Sequence, residues 1–181
     1  MGHIRWQVSA GGALLFALLY FFDPSGLIAA LLPAALAHEL GHAAALSLGG
    51  ARLRRLRMGV FGLELDYAGY LSDGWLLFSA AAGPGAGLIY AAVLRAVGTG
   101  DFCTRSAAVS LGLSLFNLLP VLPLDGGRML AALTDVRFAQ VLSRVAALIL
   151  AVGGALIFAG FRTPALLVTG IWLCVRNFRG T

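Results

Sequence analysis

Lysine is absent from the 181 residues, cysteine occurs twice, histidine three times, and Asp, Glu and Arg together make up only 12% of the chain. Soluble domains carry about 25% charged residues, about twice this share, which speaks against a water-soluble globular fold. Cys103 and Cys174 are far apart and share no ligand spacing, which excludes a disulfide framework and a cysteine metal site. The net charge of +5 comes from thirteen arginines against eight acids. These arginines stand in short clusters between apolar runs, a distribution that orients a membrane protein and speaks against a nucleic-acid partner.

What remains is apolar: 60% of residues are hydrophobic and the mean hydropathy is +0.90. A helix crossing a bilayer uses about 20 such residues, so the chain has room for about six spans. The predicted fold is an all-α polytopic membrane protein, one domain over residues 1–181, without a soluble regulatory domain. The expected spans are 6–22, 27–48, 74–97, 106–119, 141–161 and 164–175. The first is read as a retained span and not a signal peptide, because no small-residue cleavage pattern clearly closes it. Segment 51–70 differs from the rest, since Leu63-Glu64-Leu65-Asp66-Tyr67 alternates apolar and acidic residues at period 2. It predicts a small β-hairpin at the membrane surface. With the N-terminus in the cytoplasm, ten arginines fall on the cytoplasmic side and only Arg95, Arg105 and Arg162 opposite, which is a positive-inside bias.

Within the second run stands His38-Glu39-Leu40-Gly41-His42. Residues four apart share one helix face at about 6 Å, so two imidazoles can grip one ion while Glu39 sits beside it as a proton acceptor. Ionisable groups inside an apolar span are expensive, and their presence there points to function. Catalytic zinc usually has three protein ligands, so a third is required. Once Glu39 is reserved as base, Asp125 is the remaining acid away from solvated connections and helix ends. It follows Asn117-Leu118-Leu119-Pro120-Val121-Leu122-Pro123-Leu124, where two prolines break a helix, and precedes Gly126-Gly127. The competing reading makes Asp125 a helix N-cap. His3, ahead of the first run, reads as solvated.

Together, His38-Glu-Leu-Gly-His42 and Asn117-x-x-Pro-x-x-Pro-Leu-Asp125-Gly, with Gly83-Pro84 between them, resemble the site-2 protease family of intramembrane metalloproteases. The size and span pattern resemble its sporulation-type branch most. The resemblance implies a Zn2+ cofactor on His38, His42 and Asp125, Glu39 as catalytic base, and Asn117 holding substrate or oxyanion. It also implies membrane-protein substrates, an active site toward the cytoplasm, and an inhibitory or regulatory membrane partner. Gly87 departs from the pattern, because many members carry Asn there. Two other classes compete. A metal transporter needs a polar path that the third, fifth and sixth spans lack, and a catalytically silent scaffold has no need for an intact His38, Glu39, His42 and Asp125.

Overall fold

The computed structural model describes residues 5–59 and 62–179, and these form two compact units divided between Phe116 and Asn117. The elements run β1 (Arg5–Val8), α1 (Ala10–Phe21), α2 (Leu27–Leu48), β2 (Arg52–Gly59), β3 (Gly62–Ala68), α3 (Asp73–Val97), α4 (Asp101–Asn117), α5 (Asp125–Leu133), α6 (Val136–Phe161) and α7 (Ala165–Arg179). Among the described residues, α2, α3 and α6 are long and apolar enough to cross a membrane by length and composition. The chain is therefore mostly helical with a small sheet.

In the first unit the helices pack through small residues. The buried positions of α2 are Ala30, Ala34, His38, His42, Ala45 and Leu46, mostly four apart, and those of α3 include Ala80, Gly83, Pro84, Gly87 and Ala91. Lipid tails are as apolar as leucine, so helices in a bilayer associate by close packing, and small side chains permit it. Gly41 shows how close the approach is, because a Cβ there would lie 2.3 Å from the Ala82 carbonyl oxygen. Against this pair α4 presents three fully buried serines one turn apart, Ser106, Ser110 and Ser114. Ser106 Oγ donates to the Ala30 carbonyl (3.0 Å) and Ser110 Oγ to that of Gly87 (2.8 Å), so α4 is bonded to both α2 and α3.

The predicted hairpin is present as β2 and β3, paired antiparallel with a bulge between Leu53 and Arg55. Its turn, at Val60 and Phe61, lies outside the described residues, as does His3. Leu53 pairs with Tyr67, so Leu53, Leu65 and Tyr67 share a face. Leu53 and Leu65 pack against a core of Leu46, Ala51 and Leu71 at the end of α2 and the approach to α3. A third strand joins them, because β1 pairs parallel to β2 in the order β1-β2-β3. The expectation of a helical span from Trp6 is corrected accordingly: Arg5–Val8 is a strand and α1 has only 12 residues. A short apolar run carries no periodicity that tells strand from helix, and pairing with β2 decides it. The fourth expected span, 106–119, also begins earlier, since α4 starts at Asp101.

In the second unit α6 and α7 meet at two glycines. A Cβ on Gly154 would lie 2.6 Å from Leu167 backbone, and one on Gly170 would lie 2.6 Å from Ala151 backbone. The connection at Arg162 adopts a left-handed φ of 58° and leads into Pro164. Asp135 caps α6 by accepting from Arg137 N at 2.8 Å. Both α6 and α7 extend beyond their expected ends, beginning at Val136 and ending at Arg179 respectively.

A carboxylate also fixes the start of α2. Asp23 Oδ2 accepts from Ile28 N at 2.7 Å, and Oδ1 accepts from the Ser25 backbone N–H at 3.0 Å and from its hydroxyl. The Ser25 hydroxyl, then the Ile28 N–H, hold the Asp23 carboxyl below its ordinary 3.8. A carboxylate whose pKa is lower in the folded state adds stability above its unfolded pKa and loses it as pH falls through the folded value. Thermal unfolding in detergent micelles between pH 2 and 6 should therefore show a loss of stability on acidification that Asp23→Asn diminishes. An identical pH profile in the variant would refute this.

Candidate metal centre

His38 and His42 are four residues apart on the buried face of α2, 4% and 9% exposed. Their Nε2 atoms stand 3.2 Å apart with the rings at 79°. His42 Nδ1 lies 2.7 Å from the Ser79 carbonyl oxygen of α3. A carbonyl only accepts, so Nδ1 carries the proton and donates, which leaves a lone pair on Nε2 facing the neighbouring ring. A backbone carbonyl in this role is the usual outer partner of a metal-bound histidine, where it fixes tautomer and ring orientation.

The spacing also suits an ion. Two nitrogens at about 2.05 Å from a tetrahedral zinc would be about 3.3 Å apart, against the observed 3.2 Å. Two buried imidazole nitrogens at this separation, one with its lone pair set by a carbonyl, are thus a fitting donor pair for a divalent metal. Glu39, between them in sequence, is half-buried on the same helix.

Two features of the pocket were not read from the sequence. Gly83 is the first: a Cβ there would lie 2.2 Å from His42 Nε2, so only glycine leaves room for the ring against α3. Pro84, next to it, lacks the N–H that would bond the Ala80 carbonyl, which removes one helical bond from the turn facing His42. The pair lies within a continuous helix and makes a close contact there. The second is the replacement at Gly87. A Cβ there would come 2.3 Å from Ser114 Oγ and 3.4 Å from Ser110 Oγ, so the two serines of α4 fill the space beside this glycine. Ser114 Oγ is buried and has no hydrogen-bond partner among the described residues.

In the second unit, Asp125 is 4% exposed and is the first residue of α5, with Oδ1 3.7 Å from Arg128 Nη1. The N-cap position belongs to Leu124, so the capping reading of Asp125 is not met. Gly126 and Gly127 serve close approach and not a sharp turn. A Cβ on Gly126 would lie 2.1 Å from the Leu118 carbonyl oxygen, and one on Gly127 would lie 2.5 Å from Val121 backbone. Helix α5 thus starts folded back on the 118–122 segment. Asn117, half-buried, is the last residue of α4.

With this geometry in hand, the chain can be set beside known proteins. Residues 89–160 match the family model described as Peptidase family M50. A protein of Mycobacterium tuberculosis named "Putative zinc metalloprotease Rip3" is 32% identical over 94% of this chain and 44% of its own length. A "Putative zinc metalloprotease" of Synechocystis is 34% identical over 60% of this chain and 31% of its own length. The chain spans less than half the length of these curated relatives. The site-2 protease of Methanocaldococcus jannaschii shares the fold, with a TM-score of 0.67 at 20% identity, over 96% of this chain and 89% of that one. The chain is thus similar to Peptidase family M50 over residues 89–160, and with its long apolar helices it has the fold of an integral membrane protein.

The His42 cradle has a measurable consequence. Gly83→Ala places a methyl where the ring stands and should weaken retention of divalent metal by about tenfold or more, the scale seen when an outer partner of a ligand is lost. Gly85→Ala, two residues on with nothing within 4 Å of its Cβ, should leave retention unchanged. Metal content after dialysis against a graded chelator checks both, and equal retention would refute the cradle.

Proposed function

We propose that this chain is an intramembrane zinc metalloprotease that hydrolyses peptide bonds in membrane-spanning or membrane-associated proteins. The observation that carries the reading is the buried His38 and His42 pair on an apolar helix long enough to span, with His42 held by the Ser79 carbonyl in the ligating tautomer. The zinc assignment draws further support from the names of the relatives. A transporter reading gains nothing from a glutamate set inside the two-histidine motif.

His38, His42 and Asp125 would hold the metal. Asp125 is supported by its burial and by a position at the head of α5 that the N-cap role does not explain. Zinc there would polarise a peptide carbonyl and lower the pKa of water. Glu39, beside the two histidines on α2, would take a proton from the attacking water and return it to the leaving amine. Asn117 orients the substrate or the developing oxyanion through its amide. A substrate helix has its peptide bonds internally hydrogen-bonded and must unwind first. The edge strand β3 offers an extended chain main-chain pairing.

The same reading makes residues 1–181 one protease domain of the sporulation-type branch with six spans, of which α2, α3 and α6 are long and apolar enough by length and composition. The arginine distribution supports a multi-pass cell-membrane protein with its active site toward the cytoplasm, open to an inhibitory or regulatory membrane partner.

Two substitutions test the assignment. Glu39→Gln keeps size and loses the proton acceptor, so cleavage of a membrane-protein substrate should fall by about 10²-fold or more with zinc content unchanged. Substantial turnover in this variant would remove Glu39 as base. Asp125→Asn removes an anionic ligand at constant volume, so zinc retention and activity should fall together. Undiminished retention after mild chelation would place the third ligand elsewhere.

A further inference from the structure

The second unit contains a cleft that the proteolytic reading leaves unused. It is about 170 Å³ in volume and lined by Leu122, Pro123, Gln140, Arg144, Arg176 and Asn177. Two of these are cations and none is an acid. Each guanidinium lies beside an aromatic ring, Arg144 Cζ 5.6 Å from the centre of Phe178 and Arg176 Cζ 5.6 Å from that of Trp172. Arg144 Nε also donates to the Asn177 carbonyl at 3.3 Å. Among the described residues neither arginine is in an ion pair, whereas Arg105 and Arg128 each have an acid within 4 Å.

Part of the lining is fixed by hydrogen bonds. Asn177 Nδ2 donates to the carbonyls of Leu122 (2.6 Å) and Leu173 (2.9 Å), and Asn177 Oδ1 accepts from Ser143 Oγ at 2.6 Å. Ser143 Oγ in turn accepts from Leu122 N at 2.7 Å. Both backbone groups of Leu122 are thereby bonded, and the Asn177 amide is committed to the wall. This leaves Gln140 and the two guanidinium groups to meet a ligand.

We infer that this cleft binds a phosphate group between Arg144 and Arg176, the chemistry shared by an anionic phospholipid headgroup and inorganic phosphate. Two like charges brought to one cleft without an acid repel, and an anion between them reverses the sign of the interaction. Guanidinium donors fit phosphate oxygens in pairs. The volume sets an upper limit: whole small-molecule sites run to about 300–1,000 Å³, so this one takes a phosphate and not a nucleotide. Its place favours a headgroup, since Trp172 and half-exposed Phe178 flank it at the basic end of an otherwise apolar α7. Aromatic rings of this kind sit at headgroup level, and basic pockets between helices there bind anionic lipid. The inference stands on its own residues and does not require the protease reading.

The test uses the full chain in neutral detergent, with native mass spectrometry for phosphatidylglycerol or phosphatidylcholine and a fluorescence titration with inorganic phosphate. Phosphatidylglycerol should be retained, and the Arg144→Gln/Arg176→Gln double variant should bind it at least about tenfold more weakly. The Arg54→Gln/Arg95→Gln variant, with two exposed charges removed elsewhere, should bind as the parent does. Phosphate binding that the cleft variant loses, without lipid retention, identifies free phosphate as the ligand. Arg144→Lys/Arg176→Lys retains charge and bulk if the glutamine variant does not fold, and should still weaken binding by losing the paired donors. Equal retention by the parent and the cleft variants, equal loss in the control variant, equal retention of phosphatidylcholine, or no binding of either ligand overturns the inference.

Discussion

The close approach of α2 and α3 is the constraint from which the first unit's chemistry follows. Gly41 against Ala82 and Gly83 against His42 bring the two backbones near enough for an imidazole to reach a main-chain carbonyl. A leucine at either glycine would hold the helices apart and leave the ring without that partner. The small residues along both helices therefore have two effects at once: they supply the packing energy that helices in lipid otherwise lack, and they set the tautomer of a candidate ligand.

The second unit solves a different problem, how to hold irregular chain among apolar helices. Segment 118–124 has no ladder of its own, and its polar groups need partners from elsewhere. Ser143 of α6 and Asn177 of α7 bond both sides of Leu122, while Gly126 and Gly127 let α5 close directly over the segment. The glycine contacts between α6 and α7 are a precondition, because they set the helix spacing that brings Ser143 to Asn177.

Much of this was legible in the sequence, and the rest was not for identifiable reasons. The His38 and His42 spacing needs only helical geometry, and the alternation at Leu65, Asp66 and Tyr67 needs only strand geometry, so both were found. Trp6 to Val8 misled because three apolar or neutral residues fit either element, and a parallel partner fifty residues away decides. Gly83 stood out in the sequence only beside Pro84, between the two motifs, because its contact with one particular ring depends on the register between two helices. Paired glycines such as Gly126 and Gly127 most often mark a turn, and nothing local in the sequence tells that use from the backbone contact they permit here. Asp125 was singled out by elimination among the acids, a method that identifies a residue without positioning it.

The buried serines of α4 bear on how the chain enters the membrane. Ser106 and Ser110 take their partners from Ala30 and Gly87, on helices made earlier in synthesis, and α4 itself falls short of the length and composition of a span. A segment of that kind is a poor substrate for the translocon by itself, since its hydroxyls would meet hydrocarbon with only their own backbone to bond. In the fold those hydroxyls find acceptors on α2 and α3 instead. The order of elements along the chain thus places both acceptors ahead of the hydroxyls that need them, and the most polar helix of the first unit is the last to be made.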